Sequence, residues 1–191
     1  MSLIIAEVKD GVVYMGADTR ISWGDVQYCL TAESNLKIIK MPQGILLGTV
    51  GMVAVSQILN CHKDWFEEEA AQNLTKEYLV TQIVPKLYRE LRKRGQLSKK
   101  EPAELECSCF LAQQDRLFRI SHDFSVSVVP AFDAIGAGQN AAFAINELNS
   151  ECSLKEKFLK GLRLAASCDN SIAAPFVFID TKNLKFEIVE E

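Results

Sequence analysis

Residues 1–20 read MSLIIAEVKDGVVYMGADTR. Ile4, Ile5, Ala6 and Val8 make a β-rich run, and Asp10-Gly11 follows as a strong hairpin signal, because both residues tolerate positive φ. Val12 to Ala17 returns as a second strand, with Asp18 and Arg20 just past its end. The stretch predicts an antiparallel pair that begins at residue 2. Chain ends fray unless something ties them down, so a strand this close to the start belongs either to the core alone or to the working site as well.

Working outward, residues 19–34 read as polar and irregular, with Gly24-Asp25 as a turn. Leu36 to Lys40 and Ile45 to Leu47 read as two short strands split by Pro42-Gln43-Gly44. The period then changes. Met52, Val55, Leu59 and Phe66 recur at helical spacing and predict a helix over residues 51–69, with His62, Trp65 and Phe66 on it. A second helix starts at Thr75, an N-cap residue type, carries Leu79, Ile83, Leu87 and Leu91, and ends at Gly95. Pro85 lies inside that stripe and should kink or break it. Residues 96–104, QLSKKEPAE, read as a surface loop.

Strands follow at Glu106 to Gln113, Arg116 to Ser121, and Ser125 to Val129 running on towards Ile135. Gly136-Ala137-Gly138 turns into a helix from Gln139 to about Leu148. Leu154, Phe158, Leu162 and Ala165 mark a fourth helix. Phe176 to Ile179 and Lys185 to Val189 are the last strands. Strands come in hairpins and helices in pairs, so the expected class is α+β, two antiparallel sheets face to face with a helix pair on each outer side. No repeat, low-complexity tract or linker divides the chain, and residues 1–191 read as one domain.

Composition sets limits on function. With 48% hydrophobic and 24% charged residues the chain has an ordinary globular make-up. A net charge of −4 gives no basic surface for nucleic acid. No run of about 18 apolar residues could span a membrane, and no basic segment precedes the first apolar run, so neither a membrane span nor a signal peptide is expected. The six cysteines form no CxxC pair, and the histidines, His62 and His122, are too few and too scattered for a zinc set. Reduced cysteines in a cytoplasmic protein, with no metal and no cofactor, are the expectation. Cys107 and Cys109, two apart in a strand, should share a face.

Four segments in order, KDGVVYMGADTR (9–20), SNLKII (34–39), GILLGTVGMVAV (44–55) and DAIGAGQNAAFAI (133–145), resemble the proteasome β-subunit family and its bacterial two-ring relatives, the heat-shock peptidase subunits. The resemblance covers essentially the whole chain. It implies a four-layer αββα sandwich of the N-terminal-nucleophile (Ntn) hydrolase fold and threonine- or serine-type hydrolysis of peptide bonds in protein degradation. It also implies a homo-oligomeric ring, a peptide or protein substrate and an ATPase partner.

The chemistry is consistent with the residues. A hydroxyl on the first residue has its own α-amino group beside it, with a pKa near about 8, and needs no histidine as base. The sequence has no GxSxG elbow. An ungapped count back from Asp18 puts the family's first residue at Ser2, where the family carries threonine. Removal of Met1 would expose it. The resemblance gives Asp18 the role of holding a lysine and Lys37 the role of that lysine, with Lys40 as fallback. It makes Gly48 an oxyanion donor and Asp169 a further site residue. Ala137 stands where the family carries a serine near the terminal amine. The residues leave three readings open: an Ntn peptidase, a small-substrate amidase of the same fold, and a catalytically inactive scaffold or assembly protein.

Overall fold

The computed structural model describes residues 2–23, 26–67, 69–97, 103–148 and 152–190. In chain order come β1 (Leu3–Lys9), β2 (Val12–Asp18), β3 (Arg20–Trp23), β4 (Val26–Cys29), β5 (Ile38–Lys40) and β6 (Leu46–Gly51). The helices α1 (Val53–Cys61), α2 (Lys76–Tyr78) and α3 (Val84–Lys93) follow. Then come β7 (Cys107–Gln113), β8 (Arg116–Ile120), β9 (Val126–Val129) and β10 (Phe132–Gly136). The chain closes with α4 (Gln139–Leu148), α5 (Leu154–Cys168), β11 (Phe176–Asp180) and β12 (Glu187–Val189).

Two five-stranded sheets form, ordered β10-β1-β2-β11-β12 and β5-β6-β7-β8-β9, and β3-β4 stands apart as a hairpin. All strand pairs are antiparallel. Strand alternation explains the layers. Ile4 and Ala6 point into a core between the sheets, where Leu46, Phe110 and Ile135 meet them. Leu3 and Ile5 point the other way, onto Ala142, Phe158 and Leu162 of α4 and α5. On the second sheet, Leu47 and Leu111 share a core with Val55, Leu59, Ile83 and Leu87 of the helical layer that runs from α1 to α3. The result is the expected αββα sandwich. Because β1 is covered on both faces, Leu3 to Ala6 are all buried, and each large side chain there contributes roughly 1.5–3 kcal/mol. That anchoring holds residue 2 at the end of a strand packed on both faces.

Several elements differ from their sequence expectation. Instead of one helix over 51–69, β6 runs to Gly51, α1 spans Val53–Cys61, and short 3-10 turns follow at Lys63–Phe66 and Glu69–Asn73. The apolar spacing persists because Trp65 and Phe66 bury in the same core as Val55 and Leu59. Thr75 caps as expected, its Oγ accepting the Tyr78 N–H at 3.1 Å. Pro85 does not break its stripe: the helical run widens to a π turn over Leu79–Ile83 just before it, which makes room for a ring without an N–H, and α3 continues on to Lys93.

The strand expected to run from Ser125 to Ile135 splits at Pro130, which has no N–H for a ladder. Its first half, β9, pairs with β8, and its second half, β10, crosses to the other sheet and pairs with β1. Residues 19–34, read as irregular, contain the β3-β4 hairpin, with Arg20 opposite Cys29 and Ser22 opposite Gln27. The turn expected at Gly24-Asp25 and residues 98–102 of the expected surface loop lie outside the described residues. Cys107 and Cys109 share a buried face, their Sγ atoms 3.7 Å apart.

Candidate active site

Asp18 is the last residue of β2 and is wholly buried. Lys37, just before β5, brings Nζ to 2.7 Å from both of its carboxylate oxygens. The Leu3 N–H donates to Asp18 Oδ1 at 2.9 Å, and the Arg20 N–H donates to Oδ2 at 3.1 Å. One carboxylate thus ties the start of β1, the start of β3 and the segment entering β5. Burial pushes the Asp18 carboxyl above its ordinary range and the Lys37 ammonium below its own, while their mutual attraction opposes both shifts and the two backbone donors oppose that of Asp18. Nζ shared between two oxygens, with both backbone donors in place, is the geometry of an ion pair at neutral pH.

Residue 2 is held by its backbone. The Ala137 N–H donates to the Ser2 carbonyl at 2.9 Å, and the Leu3 N–H is already bound to Asp18. Gly136 makes this approach feasible. Its φ is +107°, and a Cβ there would lie 2.0 Å from the Ser2 carbonyl oxygen. Ser2 borders two hollows. One is a cleft of about 120 Å³ walled by Arg20, Lys37, Thr49, Gly51 and Met52. The other, of about 320 Å³, is walled by Gly51, Cys107, His122 and Ala137.

The structure therefore brings together three of the five expected site residues, Ser2, Asp18 and Lys37. Gly48 is elsewhere: it faces the core between the sheets, where a Cβ would lie 2.7 Å from Met15 Cε and 3.1 Å from Ile4 Cδ1. It does not line the cleft. Its glycine signal comes from close sheet packing, not from a need for substrate access. Asp169 caps the end of α5 instead of lining the cleft, and it accepts from the Ser171 hydroxyl at 2.6 Å and the Ser171 N–H at 2.8 Å. Those bonds, and after them the positive charge of the chain's amino terminus, hold its carboxyl below the usual range, so Asp169 stands within electrostatic reach of the amine although it does not wall the cleft. The fallback Lys40 pairs with Glu33 at 2.8 Å on the surface.

Thr49, Gly51 and Met52 are cleft residues that the sequence reading did not single out. The signal lay in LGTVGM (47–52), where the second glycine, Gly51, takes φ +107° at the end of β6. The first residues of α1 open onto the cleft through Met52, Val53 and Ser56, and no side chain caps that helix start. Among the described residues, no three His, Cys, Asp or Glu side chains could hold a metal, and no helix is long and apolar enough to cross a membrane.

A twisted double sandwich of this order, with an acid–lysine pair beside the start of its first strand, defines a class: the Ntn-hydrolase fold. Within that class the fold is the one seen in proteasome-type β subunits. BPH from Thiobacillus denitrificans is similar, with a TM-score of 0.75 at 18% identity over 96% of this chain and 98% of that one. The same protein solved in complex with Epoxomicin gives a TM-score of 0.74 at 18% identity, covering 96% of this chain and 99% of that one. Eukaryotic HslV from Trypanosoma brucei gives 0.68 at 17% identity over 93% and 98% of the two chains. Anbu, an ancestral β subunit from Yersinia bercovieri, gives 0.72 at 15% identity over 99% and 87%. At these identities the likeness is one of fold. No family model and no curated protein matches the chain.

Proposed function

We propose that the chain is an Ntn hydrolase that cuts amide bonds in peptides, with Ser2, exposed by loss of Met1, as its nucleophile. The observation that carries this reading is the buried Asp18–Lys37 pair at the cleft that Ser2 borders. A buried ion pair is a costly way to stabilise a core, so its presence beside a hydroxyl at the start of a strand favours a chemical role. In this reading Ser2 Oγ attacks the amide carbonyl carbon, and its proton passes to the α-amino nitrogen. The tetrahedral intermediate then expels the leaving amine, which takes that proton. Water repeats the sequence on the ester, releases the acid and restores Ser2. The Lys37 charge lowers the proton affinity of the amine and favours the alkoxide. With Gly48 in the core, the uncapped start of α1 is the better candidate for holding the oxyanion, because the Val53 and Ala54 N–H groups precede the first bond of the helix, from the Val55 N–H to the Met52 carbonyl.

The likeness to proteasome-type folds also supports a homo-oligomeric ring packed through the helix layers, an ATPase partner and a cytoplasmic setting. A scaffold or assembly role is the second reading. Ala137 favours it, because the resemblance places a serine there and alanine offers no hydroxyl for a proton relay.

Incubation with a peptide epoxyketone, followed by intact-protein mass on chain whose first residue has been sequenced, separates the two. The hydrolase gives an adduct through both hydroxyl and amine, and Ser2→Ala abolishes it without loss of folding. No adduct on a chain that begins at Ser2 refutes the hydrolase and leaves the scaffold.

A further inference from the structure

The cleft contains two cations, and only one of them is neutralised. Lys37 is matched by Asp18. Arg20 has no carboxylate partner among the described residues. Its Nη1 donates to the Asn170 carbonyl at 2.6 Å and to Gln27 Oε1 at 3.3 Å, both neutral acceptors. Its Nε is buried and makes no hydrogen bond. A buried guanidinium N–H without an acceptor is costly, and the Arg20 charge is met by neutral acceptors alone.

Arg20 is also a shared wall. On one side it lines the cleft that contains Ser2 and Lys37. On the other it lines a basin of about 520 Å³ together with Arg163 of α5, and the rest of that basin is apolar, from Ala166, Ile172, Ala174 and Phe176. Arg163 is exposed and likewise has no carboxylate partner among the described residues. Two guanidiniums, with no acid among the described residues that line this surface, make an anion site. Arginine suits it, because its planar fork matches a carboxylate and sheds water more readily than an ammonium. Besides burial, which comes first, the Arg20 charge helps to keep the Lys37 ammonium low, so it is felt inside the cleft.

We infer that Arg20 and Arg163 form a selectivity site for a carboxylate on the peptide bound in the cleft, so that this protein prefers acidic peptides. The inference rests on the peptide-cutting reading above and names its substrate class. A chain lying past Ser2 meets Arg20 at the wall of the cleft, and an acidic side chain there faces the Arg20 guanidinium and the Arg163 basin beyond. The chain's own net charge of −4 makes this local cationic surface the more distinctive, because the overall field does not favour acidic ligands.

The test reads binding, not turnover, on full-length Ser2→Ala protein. Two fluorescently labelled peptides that differ by a single Glu or Gln are titrated by anisotropy at low salt. The Glu peptide is expected to bind about five- to tenfold tighter, as suits one carboxylate meeting two charged donors at a partly exposed site. Arg163→Gln, an exposed change that leaves the core alone, is expected to cut that advantage to about twofold, and added sodium chloride is expected to erode it. Arg20→Gln should remove the advantage, but Arg163→Gln keeps the test valid if that protein misfolds. Equal affinity for the two peptides, or an advantage untouched by Arg163→Gln, overturns the assignment. So does binding of inorganic phosphate by a protein that binds neither peptide. A Glu preference without an epoxyketone adduct would sink the hydrolase and keep the anion site, whereas an adduct without a Glu preference would do the reverse.

Discussion

Asp18 and Lys37 stand nineteen residues apart in sequence and meet with Lys37 Nζ at 2.7 Å from each oxygen of the Asp18 carboxylate. Both are shielded from water, with side chains 0% and 8% exposed. Breaking such a pair from one side leaves an uncompensated buried charge, which costs roughly 3–5 kcal/mol. Lys37→Met and Asp18→Asn are each expected to destabilise by about that amount in urea unfolding. The double variant should lose less than the sum of the two singles, because it leaves no orphan charge. Additive single costs would show that the two groups act independently, against this geometry.

Gly136 is the second fixed point behind residue 2. At φ +107° a side chain is strained, and here it would also strike the Ser2 carbonyl. Gly136→Ala is expected to cost about 2–4 kcal/mol, combining backbone strain with the collision. Gly11→Ala in the β1-β2 turn, at φ +74° with nothing within 4 Å, is the control and should cost only about 1–2 kcal/mol. Equal losses in the two variants would mean that the approach of β10 to residue 2 is not tight.

Gly48 offers a sharper division between roles. A methyl there overlaps Met15 Cε, the end of a flexible side chain that can give way. Gly48→Ala should therefore cost about 1–2 kcal/mol as mild overpacking and leave reactivity toward the epoxyketone intact. A stable Gly48→Ala protein that no longer reacts would restore Gly48 to the oxyanion role expected from sequence.

The layers were legible because their signals are local. The Asp10-Gly11 turn, the Thr75 cap and the helical stripe of Leu79, Ile83, Leu87 and Leu91 each depend on a few neighbouring residues. Asp18 and Lys37 were legible through short motifs that resemble a known pattern. Gly48 was misplaced because two glycines lie three residues apart in LGTVGM, and sequence alone does not say which meets the cleft and which lets the sheets close. Arg20 as an unneutralised cation was invisible for another reason: it depends on Asn170, Gln27 and Arg163, which only the fold assembles. The break at Pro130 was legible as chemistry, but the change of sheet that it produces depends on where β1 lies.

Ala137 tests the hydrolase reading by gain of function. It is exposed, and its N–H already fixes the Ser2 carbonyl. A serine there fits without a clash and puts a hydroxyl beside residue 2. If Ser2 is a nucleophile, Ala137→Ser is expected to speed epoxyketone adduct formation by up to about tenfold, a small part of what a well-placed acid–base group can contribute. A rate that is unchanged, in a variant shown by thermal melting to be folded, would mean that no proton relay passes through position 137.

The pH dependence of stability carries the sign of the buried pair. In the unfolded chain Asp18 titrates near its ordinary 3.8 and Lys37 near 10.5. In the fold burial raises the first and lowers the second. Between 3.8 and its raised folded value Asp18 holds more proton in the fold than in the unfolded chain, so its contribution to stability is present at acid pH and is lost as pH rises through that window. Between its lowered folded value and 10.5 Lys37 holds less proton in the fold, so stability rises with pH there. The pair therefore contributes least in the middle range, where both groups are charged and burial costs most. Melting temperatures of the wild type and of the Asp18→Asn/Lys37→Met double variant, followed from about pH 4 to about pH 10, check this against the ordinary pKa limits. The wild type's margin over the double variant should shrink from acid to neutral pH and recover toward the alkaline end. A margin that peaks at neutral pH would reverse both signs and show that the attraction between Asp18 and Lys37, with the Leu3 and Arg20 N–H donors, outweighs the cost of burying them.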